Sequence, residues 1–322
     1  MKILFADKFP ERYLNQLRDR GHSCEYQPDL TSESLPGTVP GFDALVVRST
    51  AVDSAAIRAG DALRIVVRAG AGTNTIDTDG AAGKQVRVCN VPGRNAVAVA
   101  ELTMGLLLAL DRNIPDNVID LRAGRWNKKK YSVAEGLYGR CIGIIGLGAI
   151  GLAVAERAAA FGMRVHVIGR PGRADDVRER LAAIGAVDVD DLDRLAERCD
   201  VLSFHVPASS ETKAMVNDAL LSRLAPGGII LNTSRGDVVD EQALVRAMDE
   251  KGIRAGLDVF RDEPASGDGR FDSVLARHPN VYGTHHIGAS TTQAQNAVAE
   301  GVVEIIDAFE QGRVLHCVNL EN

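Results

Sequence analysis

Arg235, Glu263 and His286 each follow a short apolar run of the kind that forms a buried strand. Open parallel sheets bind ligands outside the carboxyl ends of their strands, so residues at these positions can converge on one crevice. An arginine fork can hold a carboxylate or polarise a carbonyl, a histidine can give or take a hydroxyl proton, and a glutamate can orient the imidazole. The three residue types together predict a hydride-transfer site beside a nicotinamide.

Each of these residues also has an ordinary structural explanation. Arg235 could form a surface ion pair, Glu263 could be a turn carboxylate before Pro264, and His286 could be a capped loop histidine. The coincidence of all three at separate strand ends favours one shared site.

The elements that would position this site begin with a glycine-rich string, G-x-G-x-x-G, at residues 146–151. An apolar run at 141–145 precedes it, and an alanine-rich helical pattern at 152–161 follows it. The first glycine permits a tight turn, the second lets the backbone approach a pyrophosphate, and the third lets helix and strand pack closely. A glycine-rich turn without a ligand is the alternative. The predicted cofactor contacts here are Gly146, Gly148, Ala149, Ile150 and Gly151.

The end of the next apolar run, 163–168, carries a signal for the type of cofactor. NAD-specific folds usually place an acidic residue there to accept hydrogen bonds from the ribose 2′-hydroxyl. This chain has Gly169 and Arg170 instead, with Arg173 close behind. A glycine removes the charge that would repel a 2′-phosphate and arginines can pair with it, so the sequence favours NADP(H). NAD(H) is the alternative, if the arginines only line a solvated loop.

At 322 residues the chain is long enough for two domains, and its composition, 45% hydrophobic and 25% charged, is ordinary for a soluble globular protein. A net charge of −6 with scattered lysines and arginines argues against a nucleic-acid partner. Five cysteines without a C-x-x-C pair predict no metal site and fit a reducing cytoplasm. The most apolar later run, 97–110, is interrupted by Glu101 and is too short for a membrane span.

Apolar runs and helical segments alternate along the chain, which predicts an α/β protein. We expect a Rossmann-type doubly wound parallel sheet and a smaller flavodoxin-like substrate domain, formed by the N-terminal segment and the C-terminal tail. The tail has an amphipathic helix at 292–310 and a predicted strand near 314–318. The expected bounds are 1–93 with 289–322 for the substrate domain and 94–288 for the dinucleotide-binding domain.

Two further segments could contact an acidic substrate. The glycine-rich loop 70–74 follows an apolar run, and its backbone N–H groups can hold a small carboxylate, although a plain turn is the alternative. The basic run Lys128 to Lys130 could, with Arg48, receive a substrate phosphate, although such runs are usually solvated turns.

An ordered set of motifs resembles the D-isomer-specific 2-hydroxyacid dehydrogenases, most closely the D-3-phosphoglycerate dehydrogenase type, over nearly the whole chain. Besides the glycine-rich string, the motifs are Val46-Val47-Arg48-Ser49, Arg68-Ala69-Gly70, Asn90-Val91-Pro92, Ala100-Glu101-Leu102-Thr103, Arg235-Gly236-Asp237-Val238-Val239-Asp240, Leu257-Asp258-Val259-Phe260 and His286-Ile287-Gly288-Ala289-Ser290-Thr291. The resemblance implies an oxidoreductase that moves a hydride between NAD(P) and a D-2-hydroxy acid or 2-oxo acid. It also implies a homodimer built on the helix from Ala96.

The resemblance assigns roles to individual residues. It implies that Arg235 binds substrate, that Glu263 partners the histidine and that His286 is the acid/base. The implied substrate contacts are Arg48, Ala71, Gly72, Thr73, Arg235 and His286. The further implied cofactor contacts are Val206, Pro207, Thr233, Ser234, Arg235, Asp258, His286 and Gly288.

Three departures from the family pattern bear on the proton donor and the substrate. His285 stands where many relatives have proline, so two histidines compete for Glu263; on an extended chain they point opposite ways, and the motif favours His286. Ala71 stands where phosphoglycerate enzymes often have a polar residue. We also expect a short form without the C-terminal regulatory domain that some of them carry.

Other functions share these features. A glyoxylate or hydroxypyruvate reductase of the same family would act on an unphosphorylated acid. An NAD(P)-sensing binding module of the corepressor type would share the fold, although the intact catalytic set favours an enzyme. A formate dehydrogenase is disfavoured, because those enzymes usually have glutamine where Glu263 stands.

Overall fold

The computed structural model describes residues 1–264 and 269–320. The chain forms two compact units, Met1–Asn95 with Ser290–Asn322 and Ala96–Ala289. Among the described residues, no helix is both long enough and apolar enough to cross a membrane.

Strands and helices alternate along the chain. Up to residue 95 the elements are β1 (Lys2–Phe5), α1 (Glu11–Asp19), β2 (Ser23–Tyr26), α2 (Leu35–Thr38), β3 (Ala44–Val47), α3 (Ser54–Ala59), β4 (Ile65–Arg68), α4 (Thr78–Gly83) and β5 (Arg87–Asn90). The second unit contains α5 (Ala96–Arg112), α6 (Ile114–Arg122), β6 (Cys141–Ile145), α7 (Ala149–Ala160), β7 (Arg164–Ile168), α8 (Asp175–Ala183), β8 (Val187–Val189), α9 (Leu192–Arg198), β9 (Val201–Phe204), α10 (Asp218–Arg223), β10 (Ile229–Asn232), a 3-10 turn (Gly236–Val238), α11 (Glu241–Lys251), β11 (Arg254–Leu257) and β12 (Val281–Gly283). The last helix, α12 (Thr292–Glu310), belongs to the first unit.

The first unit is built on a five-stranded parallel sheet in the order β2-β1-β3-β4-β5, which is the flavodoxin-like order. Strand β3 is buried along its whole length, as parallel strands are when helices cover both faces of a sheet. Val302 and Ile306 of α12 share one hydrophobic core with Phe5 and Val67. The apolar face predicted for this last helix therefore packs within the first unit.

The strand predicted near 314–318 does not form. The tail makes one isolated antiparallel bridge between Cys89 and Cys317. The backbone at His316 is left-handed, with φ of 54°, and the side chain of Asn319 accepts the Val88 N–H at 2.8 Å. Because a side chain takes the hydrogen bond that a strand would need, the pairing with β5 stops after this bridge.

The second unit is a seven-stranded parallel sheet in the order β12-β11-β10-β9-β6-β7-β8. Starting from β6, this is the doubly wound Rossmann order, which confirms the predicted fold class. Helix α5 is buried on several sides and shares a core with α7, for example through Leu107, Leu110 and Val154. The sheet presents the carboxyl ends of β6, β9, β10, β11 and β12 along one edge.

Sequence patterns missed two strands and misplaced a third. Strand β2 is mostly exposed and β8 has two exposed residues of three, so neither shows the apolar run of a buried strand. Strand β11 ends at Leu257, although the apolar pattern predicts a strand over 256–260. Beyond the end of β11, the Phe260 N–H is bound by the Glu263 carboxylate at 2.7 Å rather than by a neighbouring strand.

Candidate functional site

The glycine-rich string forms a strand–turn–helix junction at the end of β6. Gly146 has φ of 93°, and a side chain there would collide with the His205 carbonyl. A side chain at Gly151 would collide with the Gly146 carbonyl. A Cβ on Gly148, in contrast, would meet no heavy atom within 4 Å. The turn is thus closed on its protein side and open where a ligand would approach.

Helix α7 begins earlier than its apolar pattern predicts, at Ala149 rather than at residue 152. Gly148 is the N-cap, and its carbonyl accepts the Leu152 N–H at 3.0 Å. The first N–H groups of a helix have no partner within it, so those of Ala149 and Ile150 are available to an anion. This arrangement fits the pyrophosphate of a dinucleotide.

The end of β7 holds a carboxylate that the sequence pattern does not reveal. Asp188 of β8 lies beside Gly169, because a Cβ built on that glycine would be 3.6 Å from the Asp188 Cγ. Arg173 binds this carboxylate at 3.1 Å and donates to the Ile168 carbonyl at 2.6 Å. Arg173 is thus held by the protein, whereas Arg170 is exposed. The carboxylate reaches Gly169 because β8 pairs with β7.

A half-buried histidine, His205, also follows β9, and the sequence patterns do not single it out. The Nε2 of His205 pairs with the Ser203 Oγ at 2.8 Å, and its buried Nδ1 has no partner among the described residues. Burial lowers the pKa of His205 to about 3, which keeps the ring neutral. Val206 and Pro207, two predicted cofactor contacts, come next; the Val206 Cγ1 would lie 3.0 Å from a Cβ on Gly146.

The turn after β10 is held by one fully buried amide. The Oδ1 of Asn232 accepts from the N–H of Ser234 at 3.0 Å and from its hydroxyl at 2.7 Å. The Nδ2 of Asn232 donates to the Arg235 carbonyl at 2.8 Å. The Thr233 hydroxyl meets that of Thr103 on α5 at 3.0 Å. These bonds fix the backbone that presents Arg235.

Gly236 brings two of the strand-end loops into backbone contact. A side chain at this position would collide with the backbone of Phe260 and Arg261. The close approach places Arg235 within the electrostatic reach of Glu263. Burial lowers the pKa of Arg235, and the Glu263 charge opposes that shift. The guanidinium keeps its charge, since the ordinary pKa of arginine is far above neutral.

The loop after β12 is organised by the buried carboxylate of Asp258, which is 1% exposed. Its Oδ1 accepts from the Thr284 hydroxyl at 2.6 Å and from the Ile287 N–H at 2.8 Å. Its Oδ2 accepts the Gly288 N–H at 2.8 Å, and its carbonyl accepts the His286 N–H at 2.8 Å. One aspartate at the end of β11 therefore holds the segment that carries His286.

Glu263 and His286 form a direct pair. The Nδ1 of His286 lies 2.7 Å from the Glu263 Oε2, while the other carboxylate oxygen accepts the Phe260 N–H. Burial raises the pKa of Glu263, but the hydrogen bonds from His286 and Phe260 outweigh it, so this pKa is lowered overall. With Nδ1 occupied, Nε2 is the ring nitrogen that can exchange a proton with a substrate. The side chain of His286 is 51% exposed, so a substrate can reach it.

The backbone at the two adjacent histidines is not the extended chain that the sequence analysis assumes. His286 is left-handed, with φ of 51°. Its N–H bond to the Asp258 carbonyl holds it in this rare conformation. The Glu263 carboxylate is bonded to His286, and His285 is exposed.

In the first unit, two loops carry the residues assigned to substrate. The Asp7 carboxylate, at the end of β1, accepts the N–H groups of Arg48, Ser49 and Thr50 at 2.6–3.1 Å. The sequence patterns do not single out Asp7 as a site residue, although its place just after a strand is a usable signal. The Arg48 guanidinium is 3.4 Å from the Ser290 hydroxyl.

The loop at 70–74 presents unbonded backbone donors. The N–H groups of Ala71, Gly72 and Thr73 make no hydrogen bond within the part of the chain that the structure describes. The Ala71 carbonyl is held by the Asn90 side chain at 2.5 Å, which keeps the loop in place. Consecutive N–H groups of this kind can bind an anion.

The basic run Lys128 to Lys130 is partly engaged in an ion pair within the second unit. Lys130 binds the Asp120 carboxylate at 3.1 Å, and Arg125 binds the same carboxylate at 2.6 Å. Lys128 and Lys129 are exposed and have no ion pair among the described residues. This pattern favours the solvated turn over a phosphate site for Lys130.

Comparisons with known proteins agree on one family. The family model described as D-isomer specific 2-hydroxyacid dehydrogenase, NAD binding domain, matches residues 104–288, more than half of the chain. A D-3-phosphoglycerate dehydrogenase of Methanocaldococcus jannaschii is 39% identical over 100% of this chain and 60% of its own length. A hydroxypyruvate reductase of Thermotoga maritima is 40% identical over 86% of this chain and 88% of its own length. The chain thus spans about three fifths of the first of these relatives.

A solved structure shows the same similarity in three dimensions. The crystal structure of a putative D-isomer specific 2-hydroxyacid dehydrogenase from Polaromonas sp. JS6 66 superposes with a TM-score of 0.87 at 28% identity. The superposition covers 98% of this chain and 99% of that one. The whole alternating architecture is therefore shared with that protein.

Replacing Asp258 by asparagine should loosen the loop that carries His286. An amide has one acceptor oxygen, so at least one of the three donors around the carboxylate would face an NH₂ group. We expect the free energy of unfolding to fall by about 2–4 kcal/mol, measured by urea denaturation at neutral pH. The Ile287 and Gly288 amides should also exchange hydrogen faster.

The matched control for this change is Asp190→Asn, at an exposed position of the same unit. It should change the stability by less than about 0.5 kcal/mol. Equal stability of the two variants would show that Asp258 does not hold the loop.

Proposed function

The chain belongs to the D-isomer specific 2-hydroxyacid dehydrogenase family, and on that premise we propose that it interconverts a D-2-hydroxy acid and its 2-oxo acid. The observation that carries this proposal is the Glu263–His286 pair, 2.7 Å from Oε2 to Nδ1, within electrostatic reach of the half-buried Arg235. A pair of this kind can give and take one proton next to a polarised carbonyl. The bound nicotinamide cofactor supplies or accepts the hydride.

In the reducing direction, His286 donates the proton from Nε2 to the oxygen of the 2-oxo group as C2 gains the hydride. Glu263 keeps the ring oriented through Nδ1 and stabilises its positive charge before the transfer. In the oxidising direction the neutral ring takes the hydroxyl proton from the same oxygen. The protons balance, because His286 gives one proton for each hydride that the substrate gains and takes one for each hydride that it loses.

Within the second unit Arg235 is proposed as a substrate contact, and within the first unit the loop at 70–74 is proposed as another. The Arg235 guanidinium can bind the substrate carboxylate or polarise its 2-oxo group with two parallel N–H groups. The unbonded N–H groups of Ala71, Gly72 and Thr73 support a carboxylate at that loop. Arg48, whose backbone is fixed by Asp7, is proposed as a further substrate contact.

For the substrate, we propose a 3-phosphoglycerate-type acid first and glyoxylate or hydroxypyruvate as the alternative within the family. The similarity to D-3-phosphoglycerate dehydrogenases supports the first. The similarity to a hydroxypyruvate reductase, the small Ala71, and the pairing of Lys130 with Asp120 support the second. A sensing module of the corepressor type lacks such support, because it would not need the Glu263–His286 pair.

We also propose that the protein is a cytoplasmic homodimer. Several large apolar side chains on α5, α6 and the segment after them are exposed: Val97, Ile114, Ile119, Leu121, Trp126 and Tyr138. We propose that a second copy of the chain covers these side chains, since exposed apolar groups that form a contiguous patch mark an interface. None of the five cysteines forms a disulfide, which fits a reducing compartment.

A panel of 2-oxo acids tests this function. It should contain 3-phosphohydroxypyruvate, hydroxypyruvate and glyoxylate, each assayed with NADPH and with NADH. We expect one of the three to be reduced, with His286→Asn lowering kcat by about 100- to 10,000-fold. The adjacent His285→Asn is the matched control and should stay within about threefold of the wild type.

Two outcomes of the panel contradict the proposal. If the purified protein bound the cofactor but reduced none of a wide range of 2-oxo acids, a sensing module would be the better account. If His285→Asn lost activity and His286→Asn kept it, the acid/base would be displaced by one residue.

For the cofactor, we propose a preference for NADP(H), set at the end of β7. Gly169 leaves the strand end without its own carboxylate, and the exposed Arg170 can pair with a 2′-phosphate. The Asp188 carboxylate nearby is already paired with Arg173, which limits its repulsion of a phosphate.

The double variant Gly169→Asp/Arg170→Ala tests this preference. One charge-assisted contact of about 1.5–3 kcal/mol corresponds to roughly 10- to 150-fold in affinity, so the wild type should favour NADPH at least tenfold in kcat/KM. A side chain at residue 169 meets only ordinary contacts at 3.5 Å, so the variant should fold and should lose or reverse the preference. Arg178→Ala, another exposed arginine, is the control and should change nothing. A wild type that prefers NADH at low salt would overturn this prediction.

A further inference from the structure

Two thiols and an imidazole meet inside the second unit, at the edge of the sheet opposite the glycine-rich turn. The Sγ of Cys141 lies 2.9 Å from the Nδ1 of His166 and 2.9 Å from the Sγ of Cys199. The three ligand atoms lie within 4.8 Å of one another. Cys141 and Cys199 are 1% and 3% exposed, and His166 is 9% exposed. None of these residues takes part in the proposed hydride transfer.

The sheet itself brings the three residues together. Cys141 begins β6, and His166 on β7 is in register with Gly143. Because alternate residues of a strand share a face, Cys141 and His166 lie on the same side of the sheet. A Cβ on Gly143 would be 2.6 Å from the Leu195 Cγ, so the missing side chain lets α9 pack closely on this face. Cys199 directly follows the end of α9, so the close packing of α9 brings its thiol next to that of Cys141.

We propose that Cys141, His166 and Cys199 bind a zinc ion. Two thiolates and a neutral imidazole are ligands that zinc prefers, and the complex of Zn²⁺ with two thiolates carries no net charge, which suits a buried place. Two Zn–S bonds and one Zn–N bond form, and the two thiol protons pass to solvent. No electron moves, so no oxidant is needed. A water molecule completes the tetrahedron.

The distances are close to those of a zinc site. Ligands at about 2.3 Å for sulfur, in a tetrahedral arrangement, place two sulfurs about 3.8 Å apart. The Sγ–Sγ distance of 2.9 Å must therefore open by under about 1 Å, which side-chain rotation can supply. A disulfide would instead require closure to about 2.05 Å and the loss of two electrons to an oxidant.

The site would act on the fold rather than on the chemistry. At about 3.3 Å per residue, the five residues of β6 separate Cys141 from Gly146 by roughly 16 Å. A zinc ion at this edge would tie together β6, β7 and the chain that leads into β9. Sequence spacing could not reveal the site, because its ligands come from positions 141, 166 and 199 without a short motif.

Metal content and cobalt substitution test the proposal on the full chain. Protein purified under reducing conditions without chelators should contain about one zinc per chain by mass spectrometry of the metal. Removal of the zinc should lower the melting temperature by at least about 5 °C, and added Zn²⁺ should restore it. Co²⁺ bound in place of zinc should give the near-ultraviolet absorption of a thiolate–cobalt bond.

Cys141→Ser and His166→Asn should each lower the zinc content at least about tenfold. Cys24→Ser, which removes a thiol elsewhere, is the control and should keep the full content. The wild-type cobalt spectrum does not depend on these variants, so a folding defect cannot hide the answer. Wild-type protein that binds neither Zn²⁺ nor Co²⁺, equal metal in Cys141→Ser, or a mass two hydrogens lower from a Cys141–Cys199 disulfide would each overturn the proposal.

Discussion

The buried carboxylate of Asp258 is the interaction on which the proposed active site depends. It takes a hydroxyl and two backbone N–H groups from the loop after β12, and its own carbonyl takes the N–H of His286. A buried carboxylate must be satisfied by donors, since an unpaired one costs several kcal/mol. Moving the loop away would leave the buried carboxylate without hydrogen-bond donors. The loop therefore stays in place, and His286 keeps a left-handed backbone that a histidine rarely adopts.

The other strand-end loops are tied to this one through backbone contacts. Gly236 lets the turn after β10 touch the chain at Phe260, and the Phe260 N–H in turn holds the Glu263 carboxylate. Arg235, Glu263 and His286 follow three different strands, and main-chain groups of Phe260 and Asp258 hold the last two of them. The buried amide of Asn232 does the same for the turn that carries Arg235. The opposite edge of the sheet holds the thiol–imidazole cluster, well away from this network.

Much of this arrangement could be predicted from the sequence, because strongly periodic and glycine-marked segments specify their structure locally. The strand–turn–helix around Gly146, the doubly wound order and α12 follow from such patterns. Features that depend on contacts between segments distant in sequence could not be predicted. Asp188 reaches Gly169 only because the polar strand β8 pairs with β7, and Asn319 ends the pairing of the tail only because it lies beside Val88. The competition between His285 and His286 depended on the backbone angle at residue 286, which Asp258 sets from 28 positions upstream.

A double-mutant cycle of 2-oxo acid reduction tests most directly the claim that Glu263 and His286 act as one proton donor. The measurement is kcat of the wild type, Glu263→Gln, His286→Asn and the double variant. The double variant should be no slower than His286→Asn alone, because Glu263 acts only through the imidazole that it binds at 2.7 Å. Losses in the two single variants that multiply in the double variant would contradict the account.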